Sequence, residues 1–289
     1  MSAWLTPDTL HLIAGWLMLL AQALMVGAAV LALKVDSPRL ARLGVAGLAL
    51  YGLSWPLQAL AITGQMTEAS WGELPGLLPT LLGKTVVGWM LDAGLAGWLL
   101  MLTAFAIPGE KRRAPWRLAL AGVGLLLTLY GRAGTGHAAE DGLFTTPLMT
   151  HLLHVLAGSL WTGGLLVFSL LPARDLAGKE AAVTKHLSEV ATLALMTIAF
   201  TGLADVIRMA EGVAGFWKTP YALALAGKVG LVALAVAMGG ANRLWIMPRF
   251  ERDPVAALRI FTRIARVESV VLLLVLMAAV RLAAQSPQG

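Results

Sequence analysis

Apolar residues in this chain neither alternate nor form narrow stripes; they gather into long blocks parted by short polar connections. Eight blocks stand out, at about 10–33, 42–63, 79–107, 117–134, 148–172, 187–209, 220–245 and 264–284. A helix needs about 20 predominantly apolar residues to cross the hydrocarbon core of a bilayer. In lipid, a helix is one of the few structures that satisfies all its own backbone N–H and C=O groups. The pattern therefore predicts an all-α integral membrane protein, a bundle of about eight transmembrane helices with no separate soluble domain. Composition agrees: 58% of residues are hydrophobic and 13% charged, with a mean hydropathy of +0.77. No Lys or Arg precedes Lys34 and no persuasive small-residue cleavage site ends the first block. It reads as a retained helix rather than a signal peptide.

The polar connections carry the orientation. Lys34, Arg39 and Arg42 fall between the first and second blocks, and Lys111, Arg112, Arg113 and Arg117 between the third and fourth. Arg174, Lys179 and Lys185 follow the fifth, and Arg243, Arg249, Arg252, Arg259, Arg263 and Arg266 fill the connection after the seventh. Sixteen of the 22 basic residues thus occupy alternate connections, while the others hold Glu68, Glu73, Glu140, Asp141, Glu211 and Lys218. Positive charge is retained on the cytoplasmic side, so eight crossings leave both termini outside. The isoelectric point near 10 follows from topology and does not argue for a nucleic-acid partner. A faint internal echo pairs His11 with His151 and Thr80 with Thr219. Two four-helix halves, 1–134 and 135–289, would explain it; so would coincidence.

Charge and topology change how the histidines read. His11, His137, His151 and His154 all map to the outer ends of spans. His151 and His154 are an i,i+3 pair, about 60° apart around a helix and about 4.5 Å along it, so both rings can face one ion. Gly131, Gly134 and Gly136 free the backbone that carries His137. Imidazole suits Cu, Zn, Fe and Ni. The chain has no cysteine, which leaves methionine as its soft donor: Met149 stands two residues before His151, and Met18 and Met25 share a face of the first span. Interfacial histidines also simply tolerate the headgroup zone, and packing accounts for methionines in an apolar chain.

Ionisable groups within spans are expensive and hence functional candidates. These are Asp92, Asp205, Lys228 and Glu268, joined by Asn242 and Arg243 at the cytoplasmic end of the seventh span. Each has a structural reading beside a place on a pathway: an Asp205–Arg208 pair, a Lys228 ion pair with Asp92 or Asp205, and a cytoplasmic latch of Asn242, Arg243 and Glu268. Trp161, two turns below His154, is either the floor of a histidine site or packing, and Gly163–Gly164 beside it permits close helix approach.

The run from Gly136-His137-Ala138 through His151-x-x-His154 to Trp161-Thr-Gly-Gly164 resembles the copper-resistance D family of bacterial inner-membrane proteins. So do Thr201-Gly202, Thr219-Pro220-Tyr221, Lys228, Ala241-Asn242-Arg243, Pro248-Arg249 and Glu268, within a CopD-like C-terminal half. In the first half, His11 and Pro79-Thr80-Leu-Leu-Gly83 look like that family's opening histidine and T-x-x-G segment; Ala222 departs from a glycine that many members carry. The resemblance implies copper handling, as Cu(I) or Cu(II), at the bacterial inner membrane. It implies a non-enzymatic transporter or metal-binding protein, with import from periplasm to cytoplasm favoured, often alongside a small periplasmic CopC-like copper-binding partner. Copper captured by His11, His137, His151 and His154 would then be passed inward or held for that partner.

A b-type haem redox protein is the alternative from another class. Since the cytoplasmic half offers only His186, one haem on the outer side is the most it could hold. A metal-dependent membrane hydrolase lacks an HExxH motif, and no nucleotide-binding loop is present.

Overall fold

The computed structural model describes residues 6–67, 69–106, 114–139, 142–211, 213 and 215–285, with His137 described by its backbone alone. Glu68, Lys111, Arg112, Arg113, Glu140 and Asp141 lie outside the described residues. Among those described there are nine α-helices and no strand: α1 (Pro7–Ala32), α2 (Pro38–Thr67), α3 (Leu74–Lys84), α4 (Val86–Ala106), α5 (Pro115–Ala133), α6 (Thr146–Leu170), α7 (Glu180–Ala210), α8 (Pro220–Ala241) and α9 (Pro254–Ala283). Five of them begin on proline, whose fixed φ suits the first helical position and whose missing N–H is not needed there. Thr219 and Asp253 cap α8 and α9 by accepting from the amides of Ala222 and Ala256.

Six helices, α1, α2, α4, α6, α7 and α8 with its extension to Glu251, are long and apolar enough to cross a membrane. Their outward faces match that role. On α7, Leu193, Met196, Phe200, Leu203 and Ile207 are all exposed, a stripe of alternating three- and four-residue steps that water would not tolerate over such a length. Val267, Val270, Leu274 and Met277 make the same stripe on α9. The protein is a multi-pass, all-α membrane protein.

The third block departs from one continuous helix. It breaks at Thr85, whose extended backbone separates α3 from α4. The Thr85 hydroxyl donates to the Leu81 carbonyl at 2.7 Å and accepts from the Gly88 amide at 2.9 Å. It closes one helix and opens the next, leaving little unpaired backbone at the break.

Two compact units emerge, one of residues Met1–Gln22 and Gly47–Val155, the other of Ala23–Ala46 and Leu156–Gly289. In the first, α4 and α5 pack backbone to backbone: a Cβ on Gly97 would lie 2.4 Å from the Gly124 carbonyl oxygen. Indole N–H groups tie α2 to α4, Trp55 donating to Leu91 O at 2.9 Å and Trp98 to Leu48 O at 2.8 Å. Arg117 is buried and donates to the Ala104 carbonyl at 3.0 Å, placing a cation at the negative end of α4. In the second unit α1 meets α6 through Gly27 and Gly163, and a core forms around Phe168 and Phe261, whose rings meet edge to face at 5.4 Å. Ser37 donates to Asp175 at 2.6 Å, fastening the α1–α2 connection to the turn after α6.

Candidate metal-binding histidines and buried polar groups

His151 and His154 occupy the second and third turns of α6, half-buried, with ring centres 6.2 Å apart and planes within 5° of parallel. An ion held by one nitrogen of each ring at about 2 Å sets the ring centres at most roughly 6 Å apart. The spacing stands at the outer limit for a shared ion. The chain enters α6 along a fixed path: the Tyr130 hydroxyl donates to the Leu143 carbonyl, and its ring stacks on Phe144 at 6.1 Å. Ala138, Ala139 and Leu148 are buried in a cluster with Met90 and Ala133, against which Met149 packs. The backbone of His137 opens a short 3-10 turn, His137–Ala139; its side chain lies outside the described residues.

His11 has a different setting. It is 8% exposed, and its Nδ1 stands 3.2 Å from the side-chain nitrogen of Gln58. The Arg132 guanidinium acts electrostatically on both His11 and Tyr51. Arg132 is itself buried, donates to the Thr135 hydroxyl at 2.9 Å, and meets no carboxylate among the described residues. Its Nε, the Tyr51 hydroxyl and Gln58 Oε1 have no hydrogen-bond partner among the described residues. Gln22 donates to the Thr128 carbonyl at 2.8 Å. Met18 and Met25 are buried in α1. Among the described residues, no group of three or more His, Asp or Glu side chains stands close enough to hold a metal ion.

In the second unit, Trp161 donates its indole N–H to Glu268 Oε1 at 3.2 Å. Glu268 and Asn242 are buried and line one cavity with Trp161 and Arg243. Arg243 donates to the hydroxyls of Ser188 at 3.0 Å and Thr192 at 2.8 Å. Asp205 pairs with Arg208 at 3.6 Å and interacts electrostatically with Lys228, while Asp92 lies on the exposed face of α4.

Arg132, Tyr51, Gln22, Gln58, Ser188 and Thr192 were not singled out from the sequence. Gln22 and Gln58 carried a usable signal, as amides set deep inside apolar blocks. Arg132 was masked by its place at the end of one.

The copper resistance protein D family model matches residues 181–282, which span α7 to α9 and hold Asn242, Arg243 and Glu268 but none of the four histidines. The copper transport protein CutJ of Bacillus subtilis (strain 168) is 26% identical over 220 residues, 71% of this chain and 40% of that protein. Copper resistance protein D of Pseudomonas syringae pv. tomato is 26% identical over 230 residues, 74% of this chain and 71% of that one. The chain thus spans well under half of the first relative and about seven-tenths of the second. No solved structure matches. The family match over the C-terminal stretch and the two long alignments thus liken the chain to proteins named for copper transport and copper resistance.

Proposed function

We propose that this protein binds copper at the outer face of the bacterial inner membrane and passes it inward, with His151 and His154 as the receiving ligands. The observation that carries this reading is the parallel imidazole pair one turn apart at the start of α6. Two neutral nitrogens suit either copper oxidation state, and half-burial leaves them reachable. His137 is the nearest further histidine in sequence, with Met149 a soft donor two residues before His151. His11 is the fourth candidate, though the neighbouring Arg132 cation disfavours a second positive charge beside it.

The basic residues clustered in alternate connections support periplasmic termini and a periplasmic mouth. The likeness to proteins named for copper transport and copper resistance supports transport rather than enzymatic chemistry. A small periplasmic copper-binding protein is the partner this arrangement would serve. Haem fits the pair less well. Two histidines one turn apart on one helix cannot take opposite faces of a porphyrin, so the second axial ligand would have to come from another helix.

The test is metal content and optical spectrum of the purified protein loaded with Cu(I) or Cu(II), beside a His151→Ala/His154→Ala double variant. Stoichiometric copper that disappears in the variant, with no Soret absorbance, supports the site. Haem absorbance, or copper binding indifferent to both substitutions, overturns it.

A further inference from the structure

The cavity beside Glu268 has a volume of about 160 Å³, and a single water needs only about 10–15 Å³ of such space. Its walls are mostly apolar, drawn from α6, α7, α9 and the end of α8, and its polar groups are unevenly satisfied. Arg243 is committed to Ser188 and Thr192. Trp161 is committed to Glu268 Oε1. Three atoms are left without partners: Glu268 Oε2 and both side-chain atoms of Asn242, on residues 1% and 3% exposed respectively. Buried polar atoms are rarely left so, and here they belong to two side chains that share one cavity.

The local backbone builds this chamber. The α-helical path of α8 stops at Ala241 and continues as a π-helical turn, Asn242–Ile246, the kind of interruption that recurs at functional sites. Gly239 makes room for the carboxyl group: a Cβ there would sit 3.2 Å from Glu268 Oε1. The carboxylate is therefore buried near the negative end of a helix. Of the side chains lining the cavity from all four elements, Arg243 is the only other charged one, and it bonds elsewhere. Nearby Arg266 directs its Nε to the Ser169 carbonyl at 3.3 Å.

A buried carboxylate without a counter-ion is costly, and two free oxygens are too few to replace the shell of a hard metal ion. The cavity offers no imidazole or thioether to hold copper. A proton meets the need with one bond.

We propose that Glu268 is a proton-binding site loaded and released through this chamber, with Asn242 its switchable partner. Protonated, the carboxyl donates toward the Asn242 amide oxygen, directly or through water; ionised, it accepts from the Asn242 amide N–H. Binding adds one proton to the carboxylate and release returns it to water, with no other bond made or broken. The site would supply a coupling ion for copper movement, and that second step rests on the proposed copper transport.

The proton site itself is tested without copper, by infrared difference spectroscopy of the full chain in lipid as pH is varied. A carboxylic-acid C=O band that rises and falls with pH, vanishes in Glu268→Gln and shifts in frequency in Asn242→Leu is the expected result. A band that ignores pH in the parent protein, or that persists in Glu268→Gln, overturns the site. A response to Na⁺ at fixed pH overturns it in favour of a metal cation. Unchanged size-exclusion profiles establish that both variants fold.

Coupling is read in proteoliposomes with an internal pH dye, where copper should drive a pH change that Glu268→Gln abolishes. A change that survives the substitution, or none in the parent protein, overturns coupling alone. His151→Ala/His154→Ala should lose copper and keep the infrared band, so failure of the copper reading and failure of the proton site are separately visible.

Discussion

Gly163→Ala is the sharpest packing test that the structure offers. A Cβ on Gly163 would lie 2.0 Å from the carbonyl oxygen of Ala23, and one on Gly27 would lie 2.0 Å from the carbonyl oxygen of Gly163. Both contacts are with backbone, so no side chain can swing away. Ordinary heavy-atom contacts begin near about 3.5 Å, so α1 and α6 must part by roughly 1.5 Å or bend around the new methyl. Overpacking of this kind costs about 1–3 kcal/mol. Against it stands the helical preference of Ala over Gly, about 1 kcal/mol.

Gly158, on the same helix, isolates the difference, because a Cβ there meets nothing within 4 Å. Gly158→Ala gains the propensity alone. Thermal unfolding followed by tryptophan fluorescence should therefore place Gly163→Ala below Gly158→Ala by about 1–3 kcal/mol, several degrees in Tm for a chain of this size. If Gly163→Ala unfolds at the same temperature as Gly158→Ala, or above it, the direct backbone contact between α1 and α6 is refuted.

Two further substitutions test the buried polar set of the first unit. His11→Ala strips Gln58 of its partner inside the bundle and should cost about 1–3 kcal/mol of stability. Metal analysis beside thermal unfolding separates lost stability from lost ligation: copper content equal to the parent protein's would remove His11 from the proposed ligand set. Arg132→Met replaces a buried cation that meets no carboxylate among the described residues with an apolar side chain of similar length, and should raise Tm. A fall in Tm would mean that the guanidinium holds the neighbourhood of His11 and Tyr51 together.

Hydropathy made the helices legible because lipid leaves the backbone few alternatives: every predicted block overlaps a long helix, the third one divided. The division at Thr85 was hidden by continuity of composition. Its one sequence signal was a threonine three residues ahead of Gly88, the position from which a side chain caps a helix. Buried polar groups were harder, because burial depends on which face a neighbouring helix covers. Asp92 and Glu268 look alike in sequence, each a carboxylate inside an apolar block, yet Asp92 is exposed and Glu268 is 1% exposed. Arg132 sits at the end of an apolar block, and its burial comes from tertiary packing. The i,i+3 geometry of His151 and His154 is local to one helix, and so could be anticipated from spacing alone.

The two polar sets differ in donor chemistry, and the difference bears on what each can carry. The pair on α6 offers nitrogen, which binds copper; the chamber beside α9 offers a carboxylate and an amide, with no nitrogen base or sulfur on its walls. Copper bound at the first would lose affinity on entering the second, because oxygen donors suit harder ions. The proposed reading therefore does not use a single row of equivalent copper ligands. Separate duties agree better with the residues present: metal capture by imidazole, and proton exchange by Glu268. The stretch that matches the family model contains Asn242, Arg243 and Glu268 and none of the four histidines. A chamber for a coupling ion is a better candidate for what residues 181–282 contribute.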